Sequence, residues 1–181
     1  MRNLFLACAA VALCACGSSS SAATSSSPSP SPSASEANIA SVNACALVTQ
    51  SEASSAAGKQ LVNMTTLGAP TIPGACFYGA QGSSAGVFVY AQVYPDSATA
   101  HAVTAQEFQT ALAAQLGKGA TSGKEISGIG DKAFEFTGEG NAGNGVAIIV
   151  FKANVVFIIA VDPGGTTAVE KLATNAVGRL H

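Results

Sequence analysis

Tryptophan is absent from the 181 residues, aromatic residues of every kind make up 6%, and only 10% of the chain is charged. Ordinary domains are about 25% charged, so this surface must be made largely of Ser, Thr, Asn, Gln, Gly and Ala. Eight Lys and Arg stand against ten Asp and Glu, for a net charge of -2. That leaves no basic surface to neutralise phosphates and argues against nucleic acid as a partner. The absence of Trp counts mildly against a carbohydrate-stacking platform, although Tyr can substitute. The length sets one compact domain plus extensions and excludes a multidomain enzyme.

What is present begins with an address. Met1 and Arg2 open a short positive segment, Leu4 to Ala15 is apolar, and Leu13-Cys14-Ala15-Cys16-Gly17 has the arrangement of a bacterial lipobox. The apolar run is too short to span a hydrocarbon core of ~30 Å, so residues 1–15 read as a lipoprotein signal peptide that is removed. Cleavage before Cys16 leaves a thiol for a diacylglycerol and an amine for a further acyl chain. Each buried methylene contributes ~0.8 kcal/mol, so two or three chains would hold the protein on the extracytoplasmic face of the cell membrane. An ordinary secretory signal cut elsewhere is the competing reading. Residues 16–38 follow as the lipidated Cys and a tether of Ser, Ala, Thr and Pro that includes Ser27-Pro28-Ser29-Pro30-Ser31-Pro32. Such a tract has no side chains for a core; fully extended it would lift the domain roughly 70 Å off the membrane.

Of five cysteines, Cys8 and Cys14 leave with the signal and Cys16 carries lipid, so Cys45 and Cys76 remain. An even remainder in an oxidising compartment reads as one disulfide. A metal site would need nearby His or Cys, and the histidines are His101 and the terminal His181. A catalytic thiol would need a general base, and none is indicated. No metal or other cofactor is expected.

Residues 39–181 carry periodic apolar segments and form the expected globular α+β domain. Thr49-Gln50-Ser51-Glu52 is a capping box that starts a helix ended by Gly58. Leu61 to Leu67, Cys76 to Ala80 and Ala85 to Tyr94 read as strands, the last alternating Val87, Val89, Ala91 and Val93 with Phe88, Tyr90, Gln92 and Tyr94. Pro95-Asp96 starts a second helix with Ala105, Phe108, Leu112 and Leu116 on one stripe and Gly117 as its stop. Lys132 to Thr137, Val146 to Phe151 and Val155 to Val161 are further strands, the last two joined by a tight turn at Ala153-Asn154. Thr167 to Glu170 reads as a capping box for a closing helix with Val169, Leu172, Ala173, Ala176, Val177 and Leu180 as its stripe. The expectation is one mostly antiparallel sheet of about six strands with helices packed on it, in the order helix, three strands, helix, three strands, helix.

Cys45-Ala46-Leu47-Val48-Thr49, Gly74-Ala75-Cys76-Phe77-Tyr78 and Ile129-Gly130-Asp131-Lys132-Ala133-Phe134, with an apolar hairpin and a terminal helix, span nearly all of 43–180. In these the chain resembles actinobacterial lipoproteins of the domain-of-unknown-function 3558 type. The resemblance implies a small α+β domain related to the Mog1/PsbP-like sandwich, with Cys45 and Cys76 as the matching half-cystines and no catalytic residue.

Several motifs tempt. Gly82-Ser83-Ser84-Ala85-Gly86 fits the nucleophile elbow of esterases, but a strand follows where a helix is required, so it reads as a hairpin turn. Gly138 to Gly143 fits Gly-x-Gly-x-x-Gly yet opens a strand, so a flexible loop is expected. His101 reads as a half-buried histidine at a helix start, and Asp131 as a turn residue bonding its own backbone. Phe88, Tyr90 and Tyr94 are core if helices cover them and a binding face if exposed. The leading expectation is a membrane-anchored extracytoplasmic lipoprotein whose non-catalytic domain binds an envelope protein or a small apolar ligand. A lipid or glycolipid carrier with an internal cavity is the alternative, and a serine hydrolase using Ser84 and His101 comes behind both.

Overall fold

The computed structural model describes residues 38–67, 72–116, 121 and 123–181. The expected signal peptide, Cys16 and the tether as far as residue 37 lie outside the described residues, as do Gly117 and the neighbouring glycine-rich residues 118–120 and 122.

Asn43 caps α1 (Ala44–Leu47) and accepts from the Cys45 amide; Val48 is extended; Thr49 then caps α2 (Gln50–Ala57). The helix expected from Thr49 to Gly58 is α2, and α1 precedes it as an additional short helix. Gly58, at φ 62°, ends α2 in the left-handed region, which glycine adopts without steric cost. Strand β1 is only Val62–Asn63, and Met64–Leu67 is a 3-10 turn, which corrects the strand expected through Leu67. The cause is local. Asn63 Oδ1 accepts from the Thr65 amide and Thr66 Oγ1 donates to Asn63 O, and such side-chain bonds compete with a strand ladder.

Strands β2 (Ala75–Gly79) and β3 (Gly86–Val93) form a hairpin, followed by α3 (Ser97–Ala102) and α4 (Ala105–Leu116). Asp96 caps α3 by accepting from Thr99, and Val103, in extended conformation, separates the two helices where one was expected. Strands β4 (Lys124–Ile126), β5 (Lys132–Gly138), β6 (Gly145–Lys152) and β7 (Val155–Asp162) then lead into α5 (Thr166–Val177).

The described residues form a seven-stranded sheet in the order β1-β2-β3-β7-β6-β5-β4, with every neighbouring pair antiparallel. The α+β expectation holds, with β4 as an added edge strand. The apolar runs behave as foreseen: β6 and β7 are buried on both faces and β7 is the middle strand. On one face Leu47, Ala53, Val169, Leu172 and Ala176 of α1, α2 and α5 pack on Val87, Val89, Ile148, Phe157 and Ile159. On the other, Ala100, Leu112 and Leu116 of α3 and α4 pack on Phe136, Ala147, Ile149, Phe151 and Ile158. Alternate residues of the same strands feed the two cores, as the two-residue period of a strand requires.

The disulfide expected of Cys45 and Cys76 is present, with an S–S distance of 2.03 Å, and joins α1 to β2. Beside it the Tyr78 hydroxyl donates to Val48 O at 2.6 Å, and burial pushes the phenol up from its ordinary value.

The closing helix begins otherwise than expected. Its N-cap is Gly165, with no side-chain cap, so Thr167 lies inside the first turn and makes no capping box with Glu170. The buried stripe of Val169, Leu172, Ala173 and Ala176 is as expected, and Val177 and Leu180 pack partly buried against it.

The capping box at Thr49 and Glu52 is formed, and the closing helix adds to it. Arg179 donates from Nη2 to Glu52 Oε1 at 2.7 Å, from Nη1 to Oε2 at 2.9 Å and from Nη1 to Leu47 O at 2.6 Å. Asn175 Nδ2 donates to Oε1 at 2.8 Å. The Arg179 guanidinium, helped by Thr49 and Asn175 against partial burial, holds the Glu52 carboxyl at about 2 instead of 4.5. A carboxylate depressed by folding stabilises fully above its unfolded value and loses that stabilisation as pH falls toward its folded one. With the pair screened by solvent on its open side, the clasp is worth about 2 kcal/mol. Glu52→Gln should therefore melt earlier than the parent chain at pH 7, and the gap should close between pH 4.5 and 2. A gap that stays constant across thermal melts in that window would remove Glu52 as its origin.

Candidate binding face

On the second face of the sheet, α3 and α4 pack over β5, β6 and β7. The margin formed by β2 and β3 carries the aromatic row. Phe88, Tyr90 and Tyr94 are half-buried, their inner sides packed along the edge of the second core. The row is thus neither sealed as core nor fully open. Burial, with Tyr90 and Glu107 nearby, raises the Tyr94 phenol above its ordinary value. Phe77, opposite Phe88 in the β2–β3 register, is 41% exposed, and Leu67 and Ile72 are 55% and 59% exposed.

The position of Phe77 follows from two glycines. Gly79 and Gly86 are cross-strand partners on the same face. A Cβ on Gly86 would stand 3.0 Å from two Phe77 ring carbons, and one on Gly79 would stand 3.3 Å from a third. The ring therefore lies on bare backbone where any larger residue would push it away, and glycine at a strand position marks just such a close approach. Nothing in the periodicity of this segment singled out Phe77. The signal was the glycine flanking each strand.

A cleft of 130 Å³ opens beside this ring, lined by apolar Phe77, Phe88, Leu116, Ala160 and Val161 and by the more polar Ser84, Gly86, Asn141 and Asp162. The loop with Gly-x-Gly-x-x-Gly spacing closes it. The amides of Asn141 and Ala142 both donate to the Asp162 carboxylate, and a Cβ on Gly140 would collide with the same carboxylate. The glycine pattern expected to be a flexible loop is a fitted cradle for a carboxylate, and the anion it holds belongs to the chain itself.

Ser84 sits in the β2–β3 turn and its Oγ donates to Asn141 O at 3.1 Å. His101 is elsewhere. It lies in the last turn of α3, not at a helix start, is exposed and not half-buried as expected, and its Nε2 lies 3.5 Å from Asp131 Oδ2. Asp131 does not bond its own turn as expected; its carboxylate accepts from Lys152 Nζ at 2.9 Å and from the Ala153 amide at 2.7 Å. Partial burial opposes ionisation of Asp131, but Lys152, Ala153 and His101 together outweigh it and hold the carboxyl below its ordinary value. Ser84 adjoins the Gly86–Asp162 end of the sheet and Asp131 the Lys152–Val155 end. Seven residue rises separate those ends, about 23 Å. Nucleophile and base are thus on opposite rims.

Two polar residues escaped the sequence reading. Asn154, 2% exposed, donates from Nδ2 to Ile39 O and Tyr94 O and accepts at Oδ1 from the Ile39 amide. Glu135, on β5 in register with Lys124, is buried with Oε2 lacking a hydrogen-bond partner among the described residues. Strand alternation marks a face, and a single polar residue on a buried face gives no local sign of its partner.

Among the described residues no group of three His, Cys, Asp or Glu side chains is placed to hold a metal ion, and no helix is long and apolar enough to cross a membrane. No family model matches the chain, and no curated protein is significantly similar to it.

Proposed function

We propose that the chain is an extracytoplasmic lipoprotein, anchored through a lipid on Cys16, whose α+β domain is a non-catalytic module that binds a protein partner or a small apolar ligand. The observation that carries the binding part is the β2–β3 margin. There Phe77 is presented on a glycine floor beside Phe88 and Tyr90, while the rest of that sheet face lies under α3 and α4. Both sheet–helix interfaces are filled by buried side chains, which favours this surface over the internal cavity a lipid or glycolipid carrier would use. The separation of Ser84 from His101 favours binding over hydrolysis. The anchor rests on the lipobox that ends at Cys16 and on the Ser- and Pro-rich tract after it.

The test is made in bacteria that process lipoproteins, fed an alkyne analogue of palmitate, with a photoactivatable residue at position 90. The chain should take up label and fractionate with membranes, and Cys16→Ala should lose the label and leave the membrane fraction. Illumination should give a discrete adduct that Phe77→Ser abolishes. Product found in the cytosol with residues 1–15 intact would sink the anchor. An adduct indifferent to Phe77→Ser would sink the binding face.

A further inference from the structure

We propose that the cleft between Phe77 and Asp162 is a site for a single neutral sugar ring, stacked on Phe77 and hydrogen-bonded by Asn141 and Ser84. The inference rests on the reading of the β2–β3 margin as a binding surface and goes beyond it, to a polar ligand with one apolar face in place of the apolar ligand proposed there.

Size comes first. The cleft measures 130 Å³. A cavity of about 150 Å³ accommodates benzene, so this space suits one six-membered ring whose substituents extend into solvent. The two kinds of lining then ask for different chemistry. The far end of the Phe77 ring lies against the Gly79–Gly86 backbone and the residue is 41% exposed, so it offers an apolar surface held in place before any ligand arrives. The same lining includes polar groups with unused capacity. The Asn141 side-chain amide is exposed and has no partner among the described residues, which leaves two donors and an acceptor. The Ser84 hydroxyl gives its proton to Asn141 O and keeps its lone pairs for a ligand hydroxyl. Behind them the Asp162 carboxylate is held by two amides, and the lining includes no basic side chain.

An anion would meet the Asp162 charge with no cation in the lining to offset it. A phenyl ring would fill the space but offer nothing to the Asn141 amide or to the lone pairs of Ser84, and covering such groups unmatched is unfavourable. A pyranose has an apolar C–H face for Phe77 and ring hydroxyls that both donate and accept. It satisfies both kinds of lining.

The chain contains no Trp, so Phe77→Trp places the sole indole at the stacking position of the full chain, held in detergent. Titration with methyl glucoside and with N-acetylglucosamine should give a saturable change of indole emission, with a Kd on the order of millimolar for so few contacts. Adding Asn141→Ala should weaken it about five-fold, the loss of one neutral hydrogen bond. Saturation-transfer NMR on the unmodified chain should show transfer to the sugar ring protons, and Phe77→Ala should remove it. Absence of a saturable response to either sugar, together with absent transfer to the unmodified chain, would overturn the proposal. So would tighter binding of phenol than of either sugar, which would assign the cleft to an aromatic side chain of a protein partner. The palmitate experiment is independent: loss of labelling with sugar binding intact would remove the anchor and leave this site standing.

Discussion

Replacing Cys45 and Cys76 together by alanine should lower the unfolding free energy of the domain by about 3.7 kcal/mol, from the chain-entropy cost of leaving open a loop of this length. The two cysteines are 31 residues apart, and Cys76 is 1% exposed. For a domain of this size each kcal/mol shifts the midpoint by about 3–4 °C, so the melt should fall by roughly 12 °C. The effect is not evenly spread. The bridge ties α1 to β2, and β2 has β3 as its long partner and the two-residue β1 as its short one. In the double variant, amide exchange should quicken first in α1, β1 and β2, with β6 and β7 still protected. Reductant on the parent chain should act from the partly buried Cys45 side, since Cys76 is buried. Equal loss of protection in all strands, or a shift under about 3 °C, would mean that the bridge does not hold this margin in place.

Asn154→Leu is the second large effect. Asn154 stands in the β6–β7 turn and is 2% exposed, and its amide satisfies Ile39 N, Ile39 O and Tyr94 O at 2.7, 3.0 and 2.8 Å. The Tyr94 amide in turn donates to Asn154 O at 2.8 Å, so one residue closes the end of β3 and the chain entering at Ile39 onto the same turn. Leucine fills similar volume and leaves three backbone groups without these partners, a loss of about 3 kcal/mol. Asn154→Asp separates packing from hydrogen bonding. It keeps the acceptor for Ile39 N but sets a carboxylate against two carbonyl oxygens. Its stability should therefore be poor at neutral pH and improve on acidification, opposite in sign to the trend expected of Glu52. Equal stability of Asn154→Leu and the parent in urea titrations would show that solvent replaces the lost bonds.

The cysteine pair and Asn154 stand on opposite sides of what the sequence makes legible. The cysteine pair, the capping box at Thr49 and Glu52, the alternation of β3 and the apolar runs of β6 and β7 were legible because each depends on spacing within a few residues or on counting. The short α1 before that capping box carried no such signal, because its cap is Asn43 alone and extended Val48 separates it from α2. Bonds from the Asn63 and Thr66 side chains overrode the apolar pattern of Leu61 to Leu67. At the candidate site, Phe88, Tyr90 and Tyr94 were visible as a row, while Phe77 required knowledge that Gly79 and Gly86 are paired. Arg179 on Glu52 and Asn154 on Ile39 join residues 127 and 115 positions apart, and no local pattern reports such a meeting.

The strand order carries a consequence for how the molecule is made. Among the described residues β7, followed only by α5, is the one strand that joins the β1-β2-β3 group to the β6-β5-β4 group. A chain emerging from a ribosome, or threaded N-terminus first through a translocation pore, has two unjoined half-sheets until Asp162 is out. Contacts of such long sequence separation form late and slowly. The architecture thereby makes completion of the sheet wait on one of the last strands to be made.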